Sequence, residues 1–249
     1  MRALSLFANI GVAEAYLDKI GVDVVLANEL VKRRADLYSE IYPATEMICG
    51  DITDEKTYGL IRSKAIDGKI DVIIATPPCQ GFSRACRNQD ENDSRNLLIM
   101  PVISLIKEIK PKYVFIENVP QLLETEVEIG GKKTLIQDYM VGDLGDKYNI
   151  SFHQINTENY GVPQSRRRTI ILLTRKDQKL VWELPEENED RVTLEDVIGD
   201  LPPLDPFIKD IDEIELKKCF RTMRKRKQQQ GKYQYGINLR FISRDRLSP

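Results

Sequence analysis

Short apolar runs rich in Ile, Val and Leu punctuate the chain at residues 2–7, 22–28, 46–50, 70–75, 112–117, 149–156 and 168–174, and each reads as a β-strand. Between them the apolar positions take helical spacing, from Ala8-Asn9-Ile10-Gly11 towards Ile20 and from Leu97 to Ile109. Strand then helix, repeated, predicts an α/β fold built on a doubly wound, mostly parallel sheet. A polar, proline-containing connector follows near Leu184–Glu195, then a short helix over Leu194–Asp200 and the pair Pro202-Pro203. No internal repeat is present.

In such a sheet ligands bind at the carboxyl ends of the strands, so the residues that follow each run carry the chemistry. Asp71-Val72-Ile73-Ile74-Ala75 runs into Thr76-Pro77-Pro78-Cys79-Gln80-Gly81-Phe82-Ser83. The two prolines fix φ and offer no N–H, so the turn is stiff and continues neither strand nor helix. That is where a nucleophile belongs, although the segment alone also fits a structural turn with an inert thiol at Cys79. Tyr113-Val114-Phe115-Ile116 ends in the carboxylate of Glu117 and the amide of Asn118. Tyr160-Gly161-Val162-Pro163-Gln164-Ser165-Arg166-Arg167-Arg168 leads into Thr169-Ile170-Ile171-Leu172-Leu173, and Arg166 and Arg168 share a face on an extended segment. Any one of these charged groups also fits a solvated surface; together they set a thiol, an acid, an amide and a guanidinium pair beside strands.

In this order and with this spacing, Thr76-Pro77-Pro78-Cys79-Gln80-Gly81-Phe82-Ser83, Glu117-Asn118-Val119 and Gln164-Ser165-Arg166-Arg167-Arg168 resemble the DNA cytosine-5 methyltransferases. Phe7-Ala8-Asn9-Ile10-Gly11, Asn28-Glu29, Gly50-Asp51-Ile52 and Asp93-Ser94-Arg95 match the family's weaker cofactor and loop motifs, and the resemblance covers roughly residues 1–205. It implies a Rossmann-like, S-adenosylmethionine-dependent methyltransferase fold, double-stranded DNA as substrate and a restriction-modification setting. Cytosine C5 is a poor nucleophile, and a thiolate added at C6 makes it reactive; the resemblance assigns that thiolate to Cys79. It assigns hydrogen bonding or protonation at N3 to Glu117 and charge stabilisation at O2 to Arg168, with Asn118 and Arg166 as orienting groups. The base that removes the C5 proton is not identifiable, and water is an alternative. The target base must leave the duplex stack, and the polar, Gly-hinged loop Gly81–Arg95 suits closure behind it.

The same resemblance places the methyl donor against Phe7, Asn9, Gly11, Glu29, Asp51, Ile52, Pro78 and Leu98. Phe7 offers an aromatic face to a sulfonium, or is plain core. Glu29, at a strand end, can accept hydrogen bonds from ribose hydroxyls. Asp51 and Ile52 would meet the adenine, while a helix-cap role for Asp51 competes, with Asp54 close by. Asn9 and Val12 stand where the family commonly carries glycines; Asn tolerates the left-handed conformation better than most residues.

The 249 residues, 41% hydrophobic and 31% charged with net charge −2, amount to one large globular domain with room for an appendage. Cys49, Cys79, Cys86 and Cys219 have no paired metal spacing and His153 is the sole histidine, so neither a zinc site nor a histidine triad is expected. No run of about 18 apolar residues occurs and the first strand begins at once, which predicts neither a membrane span nor a signal peptide, and the cysteine usage suits a reducing cytoplasm; the resemblance implies a bacterial or archaeal cell, with the protein at the nucleoid when on DNA. Charge is segregated: residues 183–216 are acidic, and residues 217–249 are basic with Phe220, Tyr233, Tyr235 and Phe241 interleaved. The basic segment suits phosphate contact, or is a solvated tail. The expected organisation is a catalytic domain at 1–183, an acidic connector at 184–216 and, at 217–249, the start of an incomplete recognition region. Family members continue into a recognition domain and two more motifs, so the chain is expected to need a second polypeptide supplying them, or to come from a truncated gene. Transfer-RNA cytosine methylation and a non-catalytic, regulatory DNA-binding role remain alternatives; amino-group methylation does not call for Cys79.

Overall fold

A computed structural model describes residues 1–78, 98–129, 131–188 and 190–200. The chain divides into two compact units, Met1–Gly199 and Asp200–Pro249, and all the described elements belong to the first. Cys79, the loop Gly81–Arg95 and the basic segment 217–249 lie outside the described residues. In chain order the strands are β1 (Arg2–Leu6), β2 (Asp23–Glu29), β3 (Glu46–Cys49), β4 (Val72–Ala75), β5 (Tyr113–Asn118), β6 (Glu126–Ile129), β7 (Lys132–Leu135), β8 (Tyr148–Asn156) and β9 (Arg167–Arg175). The helices are α1 (Lys32–Ile41), α2 (Glu55–Asp67), α3 (Ile99–Ile109), α4 (Ile136–Leu144) and α5 (Leu194–Ile198).

Seven strands form one sheet in the order β3-β2-β1-β4-β5-β9-β8. The first five are parallel, and β9 pairs antiparallel with both β5 and β8. The chain winds outward from β1 to β3 and returns to the other side of β1 as β4, which makes the carboxyl ends of β1 and β4 the switch point where a crevice opens. Because β9 is antiparallel, its beginning, and with it the arginine motif, lies at that same edge.

One face of the sheet (Leu4, Leu6, Ile73, Val114, Ile116, Ile171, Leu173) packs under α2, α3 and α4 in a single continuous core. Helix α3 buries Ile99, Val102, Ile103, Leu105 and Ile106, more than any other described helix, at about 1.5–3 kcal/mol for each fully buried large side chain. Its Pro101 falls in the first turn, where the missing N–H has no helical partner to lose. On the opposite face Ala3, Val22, Val72 and Ile74 are buried, Trp182 stacks on Tyr113 and Phe115, and Tyr38 of α1 covers Ala27.

The helix expected from Ala8 towards Ile20 does not form. Its backbone bonds are i→i−3, as from Glu14 to Gly11, Leu17 to Glu14 and Ile20 to Leu17, and only Asp18–Ile20 is a 3-10 turn. Val12, Tyr16 and Ile20, apolar residues at helical spacing, are exposed, so that face offers no packing to stabilise a regular helix. The hairpin β6–β7 went unforeseen, since its strands are only four residues each and, although β6 alternates charged and apolar residues, β7 is Lys-Lys-Thr-Leu without alternation.

Beneath the irregular segment Glu14 is 4% exposed, and among the described residues neither carboxyl oxygen has a hydrogen-bond partner; the same holds for the Tyr38 hydroxyl. Burial pushes the Glu14 carboxyl above its ordinary value of 4.5, with Ser5 opposing. A raised folded-state pKa means that the proton is held more tightly in the native protein, so this contribution to stability is full below the unfolded value and is lost as pH rises through the folded one. Glu14→Gln should therefore gain urea-unfolding midpoint relative to wild type as pH is raised from about 5 to about 8; a difference between the two proteins that stays flat over that range would contradict it.

Candidate active site

A cavity of about 520 Å³ opens at the carboxyl ends of β1 to β4, within the size range of small-molecule sites. Its floor is built by cross-ties between strand ends. The Asn28 side-chain amide donates to the Ile48 and Gly50 carbonyls at 2.9 and 3.0 Å, holding the end of β2 to the exit of β3. Thr76 Oγ1 donates to the Phe7 carbonyl at 3.2 Å, holding the exits of β4 and β1 together.

Glu29 is 5% exposed, and its two carboxylate oxygens accept backbone N–H groups of Val31 and Asn9, both at 2.9 Å. Asn9 can turn its N–H inward because it sits in the left-handed region at φ 52, a conformation glycine otherwise supplies; Phe7 is left-handed too, at φ 58. Arg34 Nη1 stands 3.7 Å from Glu29 Oε1 and adds a cation to the rim.

Of the residues expected around a methyl donor, Phe7, Asn9, Glu29, Asp51, Ile52, Pro78 and Leu98 line this cavity. The cap competing for Asp51 is taken by Asp54, which receives Thr57 N at 2.9 Å to start α2. Asp51 instead holds Thr53 through one oxygen, accepting from its N–H and hydroxyl at 2.8 and 2.7 Å. Gly11 is the exception. It lies outside the lining, at φ +83, with the Tyr42 ring filling the space a Cβ would need and the Tyr42 hydroxyl donating to its carbonyl at 2.6 Å; its role is to admit that ring. The lining residues Leu30, Val31, Arg34 and Thr53 were not foreseen. An apolar Leu30-Val31 pair directly after a strand-end acid, 60% and 41% exposed, was the available signal. Acid, aromatic and apolar groups facing one cavity suit a nucleoside with a cationic tail, which is the chemistry of S-adenosylmethionine.

Beside the cavity, Glu117 and Arg168 meet: Arg168 Nε donates to Glu117 Oε1 at 2.6 Å across β5 and β9. Both are part-buried. Burial pushes the Glu117 carboxyl up and the charge of Arg166 pulls it down; the Arg168 contact also favours the ionised form, but it occupies only Oε1. The net direction is upward, because desolvation acts on the whole carboxyl. Asn118 does not face Glu117. It points to the other side of the sheet and donates from Nδ2 to the Pro77 carbonyl at 2.9 Å, fully buried, while its Oδ1 receives Val119 N at 2.8 Å. Arg166 precedes β9, its backbone N–H donating to Asn156 Oδ1 at 2.9 Å and its carbonyl accepting from Thr157 N at 3.0 Å. Pro77 thus bonds to the strand carrying Glu117 while Pro78 lines the cavity, and Cys79 is the next residue in the chain.

The sequence model of the C-5 cytosine-specific DNA methylases matches residues 1–248, and the chain belongs to that family. It is 43% identical over 206 residues to the Type II methyltransferase M1.HgaI of Avibacterium volantium, a match covering 81% of this chain and 57% of that relative. The chain therefore spans a little over half the length of such relatives. A match to the Type II methyltransferase M.AquIA of Picosynechococcus, 26% identical, covers 82% of this chain and 90% of that one. Among solved structures, a chain assigned as a DNA modification methyltransferase of an Escherichia coli prophage superposes with TM-score 0.63 at 26% identity, over 82% of this chain and 56% of that one.

Proposed function

We propose that the chain carries the catalytic motifs of a DNA cytosine-5 methyltransferase of a restriction-modification system and transfers a methyl group to C5 of cytosine in double-stranded DNA. The observation that carries this reading is the junction at Pro77-Pro78, where a buried hydrogen bond to the strand of Glu117 and the wall of the donor-sized cavity belong to adjacent residues, with Cys79 following directly. S-adenosylmethionine supplies an electrophilic methyl group, and Phe7, Asn9, Glu29, Asp51, Ile52, Pro78 and Leu98 would hold it. Cys79 adds as thiolate to C6 of a flipped cytosine, Glu117 hydrogen-bonds or protonates N3, and Arg168 offsets charge at O2 while keeping Glu117 in place; after C5 takes the methyl group its proton leaves to water or an unassigned base and the Cys79 thiolate is expelled, restoring the ring. Asn118 fixes the turn that leads into Cys79. Arg166 adds positive charge near Glu117.

Residues 1–183 are read as the catalytic domain, 184–216 as connector and 217–249 as a basic segment supplying the salt-sensitive, sequence-independent part of DNA affinity. Groove readout, which sets sequence preference, is assigned to a second polypeptide. Action on DNA places the protein with the chromosome of a bacterial or archaeal cell.

Cys79→Ser should abolish covalent trapping on 5-fluorocytosine DNA and incorporation of tritiated methyl groups, while leaving DNA binding nearly intact; methyl incorporation equal to wild type would remove Cys79 from the mechanism. Glu117→Gln should slow transfer by roughly 100-fold or more. Since burial raises the Glu117 pKa, the protonated acid persists to higher pH than an ordinary carboxyl, and the wild-type rate should fall as pH rises through that value. The Gln variant should lack that limb of the profile; a limb that survives belongs to another group. Finally, the chain alone should show no site preference in a methylation-protection assay, and site-specific methylation without any partner would refute the two-chain reading.

A further inference from the structure

Arg166, Arg167 and Arg168 are consecutive, and residues 169–174 are buried on both faces of β9. In a strand, a slip of one residue turns every side chain to the other face. Here a slip that brought Arg167 to the place of Arg168 would carry Arg168 into the fully buried place of Thr169 and Thr169 into that of Ile170, so burial holds the register from residue 169 onward. Arg166 and Arg167 are exposed and Arg168 only part-buried, so burial does not order this entry to the strand. Something else must.

We propose that Asn156 is the positioning residue that locks the register of this entry, so that Arg168 stays in place against Glu117; the consequence for catalysis rests on the methyltransferase reading above. Asn156 and Arg167 are the last pair of the β8–β9 ladder. Beyond it the Asn156 side chain takes over: Oδ1 accepts from Arg166 N at 2.9 Å, and Nδ2 donates to Glu158 Oε1 at 2.7 Å and to Ser165 Oγ at 3.3 Å. The neighbouring Thr157 N–H closes the other side of Arg166 through its carbonyl at 3.0 Å. Glu158 fixes the amide so that oxygen, not nitrogen, faces Arg166 N, a choice set by the donor and acceptor requirements at both ends. After a slip, Asn156 would lose this directional bond to Arg166. At the far end of β9, Trp182 N donates to Thr174 Oγ1 at 2.9 Å, a second pin remote from the site.

The connector braces this lock. Asn188 N donates to the Asn159 carbonyl at 2.7 Å and Asn159 Nδ2 to Glu187 Oε2 at 3.0 Å, while Arg191 lies 3.8 Å from Glu158. The turn holding Glu158 is therefore pinned from the segment that leads towards the second unit, and Asn156 inherits that order.

The full-length chain carrying Asn156→Ala should show faster amide hydrogen exchange confined to residues 165–169 and a rate of adduct formation on 5-fluorocytosine DNA, with the methyl donor present, lower by up to about 100-fold, the scale of a misplacement of roughly 1 Å. The KM for the donor should be unchanged, because none of these residues lines the donor cavity. Asn156→Asp keeps the acceptor for Arg166 N but sets a second carboxyl against Glu158, so its rate should recover as pH falls and the pair takes up a proton, a gain beyond the rise that Glu117 gives the wild type over the same range. Unchanged exchange at 165–169, or exchange that rises uniformly over the whole chain, would overturn the proposal. A wild-type protein that forms no adduct would count against the methyltransferase reading alone, with the exchange measurement still deciding the register lock.

Discussion

The hydrogen bond from the buried Asn118 amide to the Pro77 carbonyl is the contact on which the arrangement of the site depends. A proline turn has no N–H at either residue to anchor it, so only its carbonyls can be held, and here a side chain from the adjacent strand holds one. A bond of this kind contributes about 1 kcal/mol net, but removing the donor leaves a buried carbonyl unmet at about 1–3 kcal/mol, which makes the geometry hard to abandon. The bond joins the exits of two neighbouring parallel strands, β4 and β5, at the edge where the cavity lies. Asn28 and Thr76 make equivalent ties between β2 and β3 and between β1 and β4. The active edge is thus a series of strand ends, each bonded by a side chain to the backbone of its neighbour, and its rigidity comes from the sheet.

The electrostatics of the site follow from one topological choice. Were β9 parallel, its arginines would begin at the opposite edge, about a strand length from Glu117. Its antiparallel insertion between β5 and β8 brings a guanidinium to a carboxylate that the parallel strand alone would leave half-buried and uncompensated. Glu117 then experiences two opposed influences, desolvation that favours the proton and guanidinium charge that disfavours it. A carboxyl balanced in that way suits a group that must hold a proton or hydrogen bond at one moment and yield it at another.

The strands were legible because apolar runs ending in turn residues report burial directly, and all seven strands of the main sheet fall within a residue or two of the expected runs. Strand ends told where chemistry collects, so Glu29, Glu117 and Asn118 could be placed at one edge before any side chain was seen, whereas Arg168, which begins a run, joins them only because β9 is antiparallel. Failures came where spacing and burial part company. Val12, Tyr16 and Ile20 have helical spacing but face solvent, and the segment stays a run of turns. Gly11 looked like a ligand-cradling glycine, yet the backbone room it provides is used by Tyr42. Arg34 and Asn156 were invisible because each acts through a partner distant in sequence or through backbone, and neither leaves a periodic trace.

The irregular segment before β2 also bears on how the cavity is held. Residues 9–20 have i→i−3 bonds, exposed apolar side chains and a buried Glu14 with no hydrogen-bond partner among the described residues, all marks of a region that opens at low free energy. Yet Asn9, at its start, supplies one of the two N–H groups that fix Glu29. Order in the segment and orientation of Glu29 are therefore parts of one equilibrium: whenever the segment opens, the acid loses a donor and the cavity its shape. A ligand bound across Phe7, Asn9 and Glu29 favours the closed segment in proportion to its occupancy, since it binds the ordered state and not the open one. The rigid half of the edge, at β4, β5 and β9, needs no such help, because its ties are buried and the core beneath α3 holds it in place.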